Sequence, residues 1–195
     1  MVVATPDAKR AFVANIGSGS VTAIDLAGKK VLRDIPTGEG AEGIAITPDG
    51  RKVWVTNRGA DTVSVIDAES LTISGTIAVP QFPIRVKITP DGKRALVSCA
   101  RSGDVAVFDT SSRELVKRIA IDREAVAGSE SRLFSTQFGK SPVPVGILVA
   151  EDGKRAWVAS TNADVVSEID LTALSVVRRI TAGKEPDGLA GAFGR

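Results

Sequence analysis

Apolar and polar positions alternate in short runs along this chain, and polar turns separate the runs. Phe12-Val13-Ala14-Asn15, Trp54-Val55-Thr56-Asn57, Leu96-Val97-Ser98-Cys99 and Trp157-Val158-Ala159-Ser160 are such runs. So are Val21-Thr22-Ala23-Ile24-Asp25, Val63-Ser64-Val65-Ile66-Asp67, Val105-Ala106-Val107-Phe108-Asp109 and Val166-Ser167-Glu168-Ile169-Asp170. They are short, rich in Val and Ile and close to a period of two, which predicts strands. No segment holds a capped helical period. The turns carry their own chemistry: in Pro-Asp-Gly, Pro presets φ, Asp bonds the backbone and Gly accepts a positive φ.

The runs are copies of one unit. Thr5-Pro6-Asp7-Ala8 returns as Thr47-Pro48-Asp49-Gly50 and Thr89-Pro90-Asp91-Gly92, at a spacing of 42 residues. A fourth copy, Ala150-Glu151-Asp152-Gly153, comes after the same interval enlarged by 19 residues. A further run, such as Ile73-Ser74-Gly75-Thr76-Ile77-Ala78-Val79, closes each unit. Four strands at this period are the mark of propeller blades, because one four-stranded sheet cannot bury both faces unless a like sheet packs on each. The expected fold is all-β, an antiparallel β-propeller with about four blades present. The expected blades are residues 1–40, 41–82, 83–142 and 143–186, with an insert at 122–142 and an extra innermost strand at 187–195. Phe134 and Phe138 stand four apart, so the insert has room for one helical turn.

Val55-Thr56-Asn57, with its preceding turn and the following Val-Ser-Val-Ile-Asp run, resembles the YVTN repeats of YncE-like bacterial β-propellers. The resemblance covers almost the whole chain. Trp or Phe replaces the family tyrosine, and Cys99 and Ser160 replace the motif Asn in the third and fourth copies. It implies that the first strand of each blade is innermost and the fourth outermost. It also implies that the fourth-to-first crossings share a ligand-carrying face with the second-to-third loops. Propellers of this kind have about seven blades, or roughly 300 residues at this period. That makes the chain read as an arc of a longer propeller or as one part of a ring closed by oligomers, with self-association through exposed blade faces. The resemblance favours a periplasmic or extracellular location if the N-terminus is incomplete.

Candidate chemistry is sparse. Gly38-Glu39-Gly40-Ala41-Glu42-Gly43 matches a dinucleotide fingerprint in letters, but a strand follows it where the fingerprint needs a helix N-terminus. Gly139-Lys140-Ser141 lacks the P-loop glycine, since Phe134 occupies that place. Lys9-Arg10, Arg51-Lys52, Lys93-Arg94 and Lys154-Arg155 form a repeated set of basic pairs, offset by the acids of the same turns. No aromatic residues interleave with them for base stacking, so nucleic acid is disfavoured as a partner. The opposite face should carry Arg58, Arg85 and Arg101 with Glu42 and Asp187, and Arg132 from the insert. Arginine offers a planar fork for carboxylate or phosphate, which makes these six the expected ligand-binding residues. Glu168 breaks the apolar pattern set by Ala23, Val65 and Val107, and marks either a site or a blade face that reaches solvent. Cys99 reads as a small buried filler.

Composition changes the picture by exclusion. The 195 residues are 43% apolar and 25% charged, with 25 basic and 23 acidic side chains and one cysteine. No histidine and no tyrosine are present, which removes a Ser-His-Asp triad, histidine metal sites and histidine-ligated haem from this segment. No catalytic residues, no metal site and no cofactor are expected. No signal-peptide pattern, acceptor Asn-x-Ser/Thr or long apolar run is present. The expected role is a non-catalytic binding scaffold that presents loops to a protein or a small polar ligand. The alternatives are a lactonase-like or quinone- or haem-associated propeller enzyme component, and a DNA-binding YncE-like protein.

Overall fold

The structure, a computed structural model, describes residues 1–121 and 134–191. Four four-stranded antiparallel sheets make up nearly all of it. The first sheet is β1 (Val2–Ala4), β2 (Arg10–Asn15), β3 (Ser20–Asp25) and β4 (Lys30–Pro36). The second is β5 (Ala41–Ile46), β6 (Lys52–Asn57), β7 (Thr62–Asp67) and β8 (Thr72–Ala78). The third is β9 (Pro83–Ile88), β10 (Arg94–Cys99), β11 (Asp104–Asp109) and β12 (Leu115–Ala120). The fourth is β13 (Pro144–Val149), β14 (Arg155–Ser160), β15 (Val165–Asp170) and β16 (Ser175–Thr181). Each is a meander in chain order, the topology of a propeller blade. A single helical turn, α1 (Ser135–Phe138), precedes β13, and the Phe134 and Phe138 rings pack 5.8 Å apart.

Repeated side-chain bonds make the turns. In the first three copies the threonine hydroxyl donates to the aspartate two residues on, as Thr47 does to Asp49, and accepts the N–H of Lys52 five residues on. The aspartate in turn accepts the N–H of Lys9, Arg51 or Lys93. At the third-to-fourth turns Asp25, Asp67, Asp109 and Asp170 each accept two backbone N–H groups. The backbone repeats as well. Positive φ falls at Ala8, Gly50, Gly92 and Gly153, and at Lys29, Leu71, Arg113 and Leu174. It falls also at Gly19, Asp61, Gly103 and Asp164, and at Gly40, Phe82, Val143 and Glu185.

The chain divides into two compact units, residues 1–88 and 89–195. In the first unit, sheet one presents Phe12, Ala14, Val21, Ala23 and Ile35 to Ile44, Val53, Val55 and Ile66 of sheet two. In the second unit, Leu96, Val105, Val107 and Ile119 meet Ile147, Ala156, Val158 and Ile169 in the same arrangement. Each blade therefore has a front, carrying the Phe12-type residues, and a back, carrying the Val53-type residues. Period-two alternation assigns the faces.

First strands of successive blades come close enough to exclude side chains. A Cβ on Gly43 would lie 2.4 Å from the Ile84 carbonyl and 2.7 Å from Thr56 Oγ1. Thr56 ties the two strands by accepting the Gly43 N–H at 2.8 Å and donating to the Ile84 carbonyl at 2.9 Å. In the second unit Ser98 donates to the Val145 carbonyl in the same way. Residues 182–191 follow β16 without a strand of their own. Among the described residues no helix is long and apolar enough to cross a membrane.

Candidate functional site

The first unit gathers three of the expected binding residues. Glu42 lies on β5, Arg58 follows β6 and Arg85 lies on β9, the first strand of the next blade. Arg85 reaches Glu42 Oε1 at 2.5 Å and Arg58 reaches Oε2 at 2.9 Å. The carboxylate is 13% exposed. Arg58 approaches Oε2 as a charge, and no donor is aligned on that oxygen as a hydrogen bond. The Arg58 guanidinium carbon also lies 5.5 Å from the Phe82 ring centroid, a cation–π contact. Phe82 is itself set by its backbone N–H, which donates to Asp61 Oδ1 at 2.8 Å.

Two guanidiniums therefore meet on one carboxylate. Arg58 is 36% exposed and Arg85 20%, so the cluster is half sheltered and open to solvent. Such a group can hold a carboxylate or phosphate through planar N–H pairs, with less competition from water than a fully exposed arginine meets. Gly40 and Gly59 leave room beside it: a Cβ on Gly40 would lie 2.8 Å from Arg58 Cγ, and one on Gly59 2.8 Å from Glu39 Cγ. The glycines of the fingerprint-like stretch thus serve close approach at a crossing, with Gly38 and Gly40 at positive φ and β5 after them.

The other expected residues lie apart from this cluster in the chain. Arg101 and Asp187 belong to the second unit and are exposed. The Asp187 carbonyl stands where a Cβ on Gly146 would come within 1.9 Å, just as Ile84 stands against Gly43. Arg132 lies outside the described residues.

The basic pairs have a role the sequence reading missed. Arg10 donates to the Ala68 carbonyl of the next blade, and Arg94 does the same to Leu171. These arginines brace adjacent blades, and Lys52 pairs with Asp67 at 2.9 Å. The signal available in the sequence was the fixed 42-residue spacing of the second basic residue, which a random cationic surface does not need.

Cys99 is fully buried, and burial pushes its thiol up to about 12, with the nearby Asp104 charge adding to the rise. Glu168 pairs with Arg155 at 3.4 Å, and Arg155 lies over Trp157 at 5.6 Å. Among the described residues no group of three or more metal-ligating side chains converges.

Comparison with known proteins adds the lineage. The profile of the YNCE-like β-propeller family matches residues 1–129. No curated protein matches the sequence. Among solved structures, Kuenenia stuttgartiensis hydrazine synthase is similar at 27% identity and a TM-score of 0.77, over 91% of this chain and 47% of that one. A functionally unknown protein from Desulfotomaculum acetoxidans is similar at 14% identity and a TM-score of 0.78, over 96% of this chain and 57% of that one. The second likeness shows the fold alone. The chain spans about half the length of these solved structures.

Proposed function

The chain belongs to the YNCE-like β-propeller family, and from that premise we propose that it is a non-catalytic binding propeller whose Glu42–Arg58–Arg85 cluster takes an anionic group from a small polar ligand or a protein partner. The observation that carries this reading is geometric: two half-sheltered guanidiniums, Arg58 and Arg85, converge on the single carboxylate of Glu42. The planar guanidinium fork of either arginine suits a carboxylate or a phosphate edge. Cys99 offers no nucleophile here, since its buried thiol stays protonated at neutral pH.

The test is calorimetric titration of the whole chain with a panel of dicarboxylates and phosphate monoesters. Binding that weakens at least tenfold in both Arg58→Ala and Arg85→Ala supports the site. Binding that is absent across the panel, or unchanged in both variants, removes it.

A second reading as an enzyme component rests on the 27% identity to hydrazine synthase. It predicts that the chain copurifies with, or is needed for, a catalytic partner.

A further inference from the structure

The packing of blades does not demand the charges around Glu42. Where the second blade has Glu42, the third has Ile84 and the fourth Val145, both buried. Where the third blade has Arg85, the second and fourth have Gly43 and Gly146. Ile16, Ala100 and Thr161 take the place of Arg58 in the other blades. The repeat makes equivalent junctions elsewhere without these side chains, so the ion cluster is a local addition to the scaffold.

The same junction carries one more acid. Glu39 is exposed, and among the described residues its carboxylate meets neither an ion-pair partner nor a hydrogen-bond donor. Backbone bonds fix where it stands: the Gly59 N–H donates to the Glu39 carbonyl at 3.0 Å and the Arg58 N–H to the Gly40 carbonyl at 3.1 Å. A Cβ on Gly59 would lie 2.9 Å from the Glu39 carboxyl carbon, so this side chain rests against bare glycine backbone. Arg58 rests against Gly40 in the same manner. Glu39 also borders an open cleft of about 470 Å³ between the turn after β2 and the crossing from β4 to β5, with Ser18, Thr37 and Gly38 in its walls. Two guanidiniums and two carboxylates therefore meet around Gly40 and Gly59. Their formal charges cancel, but Arg58 and Arg85 are engaged on Glu42 while Glu39 faces solvent. A site divided in this way into a cationic and an anionic part matches a ligand divided likewise.

Resting on the binding reading above, we propose that the ligand is a small zwitterion with its charges at opposite ends, of the dipeptide or ω-amino acid class. Its carboxylate takes the fork of Arg58, with Arg85 beside it, and its ammonium donates to Glu39. The body of the ligand lies over Gly40 and Gly59, where no side chain stands in the way. Residues joined by backbone bonds across a pair of segments lie about 5 Å apart, and two extended residues span about 7 Å. A ligand of that length reaches both side chains. Both ends then make charge-assisted hydrogen bonds, and site and ligand together carry no surplus charge.

Calorimetric titration of the whole chain with probes that differ by one charge tests this. Glycylglycine is compared with N-acetylglycine, and 5-aminovalerate with valerate. In at least one pair the amino form is expected to bind roughly tenfold tighter, the worth of one hydrogen bond to a charged group. Glu39→Gln, a change at an exposed side chain, should abolish that difference, and Arg58→Ala should weaken the amino form itself. Equal binding within both pairs overturns the proposal and leaves the anion reading standing. So does a difference that survives Glu39→Gln. Silence from all four probes also overturns it, and the dicarboxylates and phosphate monoesters then decide the anion reading by themselves.

Discussion

At position 57 of the repeat, one side chain decides how a blade is tied to its neighbour. Asn57 donates to Thr62, Ser64 and the Thr37 carbonyl, and Asn15 donates to Ser20 and Thr22. Ser160 holds this place in the fourth blade, and its hydroxyl and that of Ser167 are both buried without a hydrogen-bond partner. A buried unsatisfied hydroxyl costs about 1–3 kcal/mol. Ser160→Asn is expected to restore the bonds to Ser167 and to the Ile121 carbonyl and to raise stability by about 1 kcal/mol in urea titration. Cys99 takes the other solution, an apolar filler beside Ala106. Its thiol, pushed up to about 12 by burial, is neutral at pH 8. It is therefore expected to resist alkylation at that pH in the native chain and to react only in denaturant, which mass spectrometry reads directly. The sequence flagged all four positions by their spacing. The unpartnered hydroxyls were not legible there, because satisfaction depends on which carbonyl the next blade brings up.

The turns set the register of each element, and their chemistry was legible as Pro-Asp-Gly and its relatives. Positive φ at Lys29, Leu71, Arg113 and Leu174 was not, because the chain uses four ordinary residues where a glycine would be the usual signal. Lys29 is exposed, and Lys29→Gly is expected to stabilise the fold by about 0.5–1 kcal/mol, seen as a higher urea midpoint with unchanged slope. Asp67 shows what the turn acids do. The Ser70 N–H, then Lys52, hold its carboxyl well below the usual carboxylate range. A depressed carboxylate stabilises the fold above its unfolded pKa of 3.8 and loses that contribution as pH falls toward the folded value. Asp67→Asn is thus expected to cost about 1 kcal/mol at pH 7. The gap from the parent chain should shrink below pH 3.8, read by urea titrations at a series of pH values.

At the scale of the whole molecule, the two tryptophans report on opposite situations. Trp54 is fully buried and Trp157 half-buried, although both fill the same position of the repeat. Acrylamide is expected to quench one emitter and spare the other, and Trp157→Phe should remove the quenchable component. Glu168 belongs to the same front face, and the sequence marked it as either a site or a blade open to solvent. Glu168 itself is buried at 9% exposure and pairs with the more exposed Arg155. By itself the sequence determined the all-β class, the blade period, the strands of the four blades and the family, because each rests on short-range alternation and turn chemistry that recur at a fixed spacing; the further strand expected from residue 187 is not formed over 187–191. Only the tertiary structure decided that Arg58 and Arg85 share Glu42 and that Arg10 and Arg94 brace neighbouring blades. Those facts depend on which residues of one repeat meet those of the next, and that follows from how sheets pack, a relation that no local pattern along the chain encodes.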